Sequence, residues 1–190
     1  MHAFLVAIIT IAIAEIGDRT QLLSLALAAH YRRPWAIIAG ILVATIANHA
    51  VAGFFGAWLG DLLTPRILDG VVGVSMVAMA AWVLKTDSFD GDPEVRRGGA
   101  FTATMLSFFV MEIGDKTQIA TMALAAAYHN LVAVVAGTTA GMMIANVPAV
   151  FLGDALSGKL PIRAMNYVAA IIFGVLGVIF IVRAAAPWLI

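Results

Sequence analysis

None of the 190 residues is cysteine, six are proline, and only 12% carry a charge. The absence of thiols excludes a disulfide framework, a thiolate metal site and a cysteine nucleophile. A charged fraction about half that of an ordinary soluble domain excludes a water-soluble globule. Eleven basic residues balance eleven acidic ones, which leaves no electrostatic case for binding nucleic acid. What fills the chain is apolar. Hydrophobic residues make up 63% of it, at a mean hydropathy of +1.01. They fall in runs that reach or approach the roughly 20 residues needed to cross about 30 Å of hydrocarbon. The composition predicts an all-α integral membrane protein in contact with the lipid bilayer, with no length left for a soluble catalytic domain.

Charged and Pro/Gly clusters divide the chain into six expected transmembrane helices, over 3–29, 34–60, 66–86, 100–127, 131–153 and 163–184. The first has no basic region ahead of it and leads straight into another span, so it reads as a retained helix and not a signal peptide. If successive helices alternate in direction, Arg32, Arg33, Lys85, Arg96, Arg97, Lys159 and Arg163 fall on one side, and Arg66 and Arg183 on the other. The positive-inside rule makes the first side cytoplasmic and predicts that both termini are extracytoplasmic. Trp35, Trp58, Trp82 and Trp188 lie near helix ends, where an indole anchors at the interface. The segment 87–99, DSFDGDPEVRRGG, reads as a solvated cytoplasmic linker between a first unit, 1–86, and a second, 100–190.

These units repeat each other. Glu15 to Tyr31, EIGDRTQLLSLALAAHY, matches Glu112 to Tyr128, EIGDKTQIATMALAAAY, at eleven of seventeen positions. The likeness continues with Gly40 beside Gly137, Ala47-Asn48 beside Ala145-Asn146, and Gly60-Asp61 beside Gly153-Asp154. Three helices is an odd number, so the second unit must enter the membrane from the opposite side. The expected architecture is six transmembrane helices as two inverted three-helix repeats, a construction that secondary transporters use around a central site.

Each motif falls near the middle of its expected helix. Six charged side chains, Glu15, Asp18, Arg19, Glu112, Asp115 and Lys116, would each cost at least a few kcal/mol at that depth. On a continuous helix, Glu15, Asp18 and Arg19 share one face while Thr20 and Gln21 project elsewhere. The i,i+4 order of Glu15/Arg19 and Glu112/Lys116 allows a salt bridge within each helix, but this pairing leaves Asp18 and Asp115 without charge partners. Four carboxylates and two cations sum to minus two, a charge that one divalent cation neutralises. Oxygen donors from Glu, Asp, Thr20, Thr117, Gln21 and Gln118, with no sulfur, suit hard cations such as Mn²⁺, Ca²⁺ or Mg²⁺. Gly17 and Gly114 allow local unwinding, which would add carbonyl ligands.

Two copies of E-x-G-D-[KR]-[TS] in a duplicated six-helix chain resemble the Gdt1-like family of manganese and calcium transporters. EIGDRT and EIGDKT fit its pattern at every defined position, and the short chain looks like the family's bacterial manganese exporters. The resemblance implies exchange of Mn²⁺ or Ca²⁺ for protons, with the ion as substrate and no cofactor, and makes Glu15, Asp18, Glu112 and Asp115 the metal ligands. The family's organellar members usually carry an extra leader and a longer acidic loop than the segment 87–99, so the resemblance makes a bacterial inner membrane the expected location over an organelle.

Other polar residues admit structural readings. Asn48 and Asn146 either support the metal site or hydrogen-bond between helices. His49 could carry protons but has no counterpart in the second half. Ser24 and Thr121 are weaker candidates. Pro148 is expected to kink its helix, and G56-x-x-x-G60 and G137-x-x-x-G141 read as close packing. Asp61 and Asp154 end their helices on opposite sides, where they read as solvated interfacial residues or, alternatively, as lining the two mouths of the pathway. A cation channel needs a similar polar path. An intramembrane aspartyl protease would need its two aspartates to share a proton, which the neighbouring basic residues and the extra glutamates disfavour.

Overall fold

The computed structural model describes residues 1–84, 99–152 and 162–186. Lys85, Arg96, Arg97, Asp154, Lys159, Trp188, linker residues 87–98 and the side chain of Arg163 lie outside the described residues. The described residues form eight helices: α1 (His2–Glu15), α2 (Arg19–Tyr31), α3 (Pro34–Leu62), α4 (Pro65–Val83), α5 (Ala100–Glu112), α6 (Lys116–Tyr128), α7 (Leu131–Leu152) and α8 (Ile162–Ala185). Pro34 and Pro65 open α3 and α4 at positions where a missing N–H costs nothing. Arg32 and His129, both left-handed, close α2 and α6 by returning their N–H groups to Ala28 O at 3.0 Å and Ala125 O at 3.2 Å.

The outer boundaries agree with the sequence reading, but the continuous helices expected over 3–29 and 100–127 are each broken in two. The breaks fall at Ile16 to Asp18 and Ile113 to Asp115. Gly17 has φ 83° and Gly114 φ 75°, left-handed values that end an α-helical ladder and that glycine alone adopts without a Cβ penalty. The shared face drawn for Glu15, Asp18 and Arg19 therefore does not exist. Glu15 ends one helix, whereas Asp18 sits at the start of the next.

The halves interlock. α1 packs on α7 and α5 on α3, α6 also lies against α3 and α2 against α7, and α4 runs along α8. Close approach depends on glycine at the crossings: a Cβ on Gly137 would come within 2.6 Å of Phe4 O, and one on Gly40 within 2.8 Å of Phe101 O. Gly141 meets α1 at Ile8, and Gly56 and Gly60 meet α6 at Met122 and Ala126, which fits the packing role read from their spacing. α7 continues as a helix through Pro148.

The exterior is apolar, with Phe54, Val74, Val132 and Ile171 all more than half exposed. α3, α4, α7 and residues Asn166–Ala185 of α8 are long and apolar enough to cross a membrane, and α1 and α5 are shorter apolar helices. The described residues are thus those of a helical, multi-pass membrane protein, with no strand among them. Trp35, Trp58 and Trp82 are exposed. The start of α4 meets the end of α8: Arg66 donates to Ala184 O at 3.0 Å, and Arg183 lies 3.4 Å from Asp69.

Candidate functional site

Both breaks are held by the same local device. A left-handed glycine leaves backbone groups without helical partners, and in the membrane such groups must be satisfied internally. Asp18 N donates to Glu15 O and Asp115 N to Glu112 O, both at 3.1 Å. Gly17 N donates to Gln21 Oε1 and Gly114 N to Gln118 Oε1, both at 2.8 Å. Gln21 Nε2 also donates to Ala145 O on α7 at 2.9 Å. The glutamines thus bridge the unwound turns.

The helix ends that meet here carry the acids. Glu15 and Glu112, at the C-termini of α1 and α5, have no solvent exposure. Thr20 donates to Glu15 Oε1, and Thr117 to Glu112 Oε2 at 3.3 Å. Asn146 Nδ2 reaches Glu15 Oε1 and Met142 O, both at 3.1 Å. Ser24 Oγ lies 2.8 Å from Asn146 Oδ1 and 3.0 Å from Thr20 O, and Thr121 bonds back to Thr117 O at 2.8 Å. Glu15 Oε2, Glu112 Oε1 and Asp115 Oδ2 are buried and have no hydrogen-bond partner among the described residues. Such groups stay costly until something satisfies them.

The cations of the motifs reach across from one half to the other. Arg19 donates to Asp115 Oδ1 at 2.8 Å, and Lys116 to Asp18 Oδ1 at 2.6 Å. This corrects the within-helix pairing allowed by the i,i+4 spacing, because the break turns each cation away from the straight-helix register. Asp18 and Asp115, which that pairing left alone, are the partners. The two pairs differ in depth: Lys116 and Asp18 are 5% and 1% exposed, whereas Arg19 is 37% exposed beside a buried Asp115. With the aspartates held this way, no three His, Asp or Glu side chains among the described residues form a ready metal cage.

The asparagines diverge. Asn146 supports Glu15, whereas Asn48 Nδ2 donates to Phe109 O, one of the carbonyls left open at the end of α5, at 3.1 Å. His49, fully buried, places Nε2 3.6 Å from Glu112 Oε2. Asp61 stands apart, exposed, with His129 Nδ1 3.9 Å away. Sequence reasoning missed the roles of Ala145 O and Met142 and the crossing of the ion pairs. The first two are contacts that carry no side-chain signature, and the third depends on the relative placement of the halves.

A family model described as "Divalent cation/proton antiporter GDT1" matches the chain twice, over residues 3–91 and 100–188. A Vibrio cholerae protein named "Putative manganese exporter" is 47% identical over 174 residues, covering 91% of this chain and 87% of that protein. A GDT1-like protein of Synechocystis is 26% identical over 204 residues, covering 94% of this chain and 96% of its own length. A GDT1-like protein of Schizosaccharomyces pombe is 30% identical over 82 residues, 43% of this chain and 31% of its own. No solved structure matches the chain.

Proposed function

Because the chain belongs to the GDT1 family of divalent cation/proton antiporters, and is therefore a transporter and not an enzyme, we propose that it exports Mn²⁺ from the cytoplasm in exchange for protons, with Ca²⁺ as a second substrate. The name of the Vibrio cholerae relative supports the choice of manganese. The location proposed is the cell inner membrane, with both termini extracytoplasmic, on the strength of the seven-to-two distribution of basic residues between the sides. Each broken pair, α1 with α2 and α5 with α6, is taken to cross the membrane once. This gives six spans in two inverted repeats, 1–86 and 100–190, joined by 87–99. The double match of the family model and the paired contacts of the halves support that arrangement.

The observation that carries the mechanism is the crossed pairing of Arg19 with Asp115 and Lys116 with Asp18 beside two buried glutamates. The broken helices bring C-terminal carbonyls and N-terminal amides to the same region, as at the half-helix sites of secondary transporters. Glu15, Asp18, Glu112 and Asp115 are assigned as ligands. Thr20 and Thr117 orient the glutamates, while Gln21 and Gln118 hold the backbone turns beside the ligands. A divalent cation entering the site takes over the charge-balancing role of Arg19 and Lys116 and frees the aspartates to ligate. When the ion leaves, the tethers close and protons bind the carboxylates that remain, so metal and protons compete for one set of oxygens.

Purified protein in liposomes containing a metal-sensitive dye, with an imposed pH gradient, tests this reading. Uphill Mn²⁺ movement should require the gradient, and apparent Mn²⁺ affinity should rise with pH as fewer protons compete. Glu15→Gln and Glu112→Gln should abolish coupled transport while the protein remains folded. A transport rate indifferent both to pH and to the gradient would refute exchange and leave a channel.

A further inference from the structure

We propose that His49 is a selectivity-determining nitrogen ligand for the transported cation, which makes the two halves of the site chemically unequal. The inference rests on the transport site described above and concerns a residue outside its two repeated motifs.

His49 lies on α3, and its side chain is fully buried. Neither Nδ1 nor Nε2 has a hydrogen-bond partner among the described residues. Nε2 is 3.6 Å from Glu112 Oε2, beyond hydrogen-bonding range. A buried imidazole usually has a partner for at least one nitrogen, because leaving a buried polar group unsatisfied forfeits the hydrogen bond it had in water. Here the ring sits against the carboxylate of a proposed ligand whose other oxygen, Oε1, also lacks a partner.

The repeat identifies what is special about the position. Ala47-Asn48 aligns with Ala145-Asn146, so the residue matching His49 is Val147. In the second half Asn146 supports Glu15 directly. In the first half Asn48 is turned to Phe109 O, and it is the imidazole that faces Glu112. Glu15 is thus surrounded by oxygen and amide groups, whereas Glu112 has a nitrogen donor beside it. Mn²⁺ shares with Ca²⁺ and Mg²⁺ a preference for oxygen donors, but as a first-row transition ion it also accepts an imidazole nitrogen, which the other two ions do not favour. One histidine in an otherwise oxygen-donating site therefore favours Mn²⁺ over Ca²⁺ and Mg²⁺ without excluding them.

The test is spectroscopic and needs no transport. Mn²⁺ bound to the purified full-length protein should show nitrogen modulation in electron spin echo measurements. The modulation should vanish in His49→Ala and His49→Gln and persist in His129→Ala. In parallel titrations both His49 variants should lose about tenfold or more in Mn²⁺ affinity while Ca²⁺ affinity changes by less than about twofold. His49→Gln keeps the bulk and polarity of the site, and thermal melts of both variants check folding. Wild-type Mn²⁺ without nitrogen modulation, or an unchanged Mn²⁺-to-Ca²⁺ ratio in folded His49→Gln, overturns the inference and leaves the carboxylate site standing. Failure of the site itself has a different signature: Glu112→Gln then binds Mn²⁺ as tightly as wild type, and this result overturns both.

Discussion

Lys116 provides the sharpest test of how the two motifs are joined. Its ammonium lies 2.6 Å from Asp18 Oδ1, with the side chains 5% and 1% exposed. At an effective dielectric near 20, two unit charges at that separation attract by about 6 kcal/mol, against a desolvation cost of several kcal/mol for each ion. The intact pair is then worth little net, but removing one member takes from the other its close counter-charge. Asp18→Asn or Lys116→Met alone should each destabilise by about 3–5 kcal/mol. The double variant should cost no more than either single one, which gives a coupling energy of at least about 3 kcal/mol. The same cycle on Arg19 and Asp115 should return about 1 kcal/mol or less, since Arg19 is 37% exposed and partly screened. A third cycle, on Glu112 and Lys116, separates the structure from the i,i+4 pairing that the sequence allows, and its coupling should be well below that of Asp18 and Lys116. Equilibrium unfolding in mixed detergent micelles, followed by tryptophan fluorescence, gives all three. The cross-motif arrangement is refuted if Asp18 and Lys116 behave additively, or if Lys116 couples more strongly to Glu112.

Two further outcomes concern the breaks. Gln21→Ala removes the acceptor for Gly17 N and the donor to Ala145 O, and should cost about 1–3 kcal/mol in the same unfolding measurement, whereas Gln21→Glu, which keeps the acceptor but sets a buried carboxylate against Ala145 O, should not recover the loss. At Gly114 a Cβ meets nothing within 4 Å, so Gly114→Ala isolates the backbone effect of φ 75° and should lower stability by about 1–2 kcal/mol; an unchanged midpoint would mean the left-handed turn is not required.

Much of this protein is legible in the chain. Long apolar runs interrupted by Arg32-Arg33, Leu63-Thr64-Pro65 and His129-Asn130 mark the helix ends within a few residues, because ending a helix inside hydrocarbon is costly. The repeated EIGD[RK]TQ pattern marks the polar centre, because charges at that depth are too expensive to be incidental. The sequence also identifies Gly17 and Gly114 as points of unwinding, but not that both adopt φ near 80° and split each helix. That choice depends on whether Gln21 and Gln118 can reach back to the freed amides, a three-dimensional fit. Partner choice was likewise hidden. Within one helix, spacing favours Glu15 with Arg19 and Glu112 with Lys116. Which carboxylate each cation meets is decided by how α2 and α6 enter the core from separate halves, and that is set by the glycine-lined packing of α1 on α7 and α5 on α3. His49 follows the same rule. As a residue it is one histidine on an apolar helix, and it gains significance only because tertiary packing sets its unsatisfied ring against Glu112, sixty-three positions along the chain.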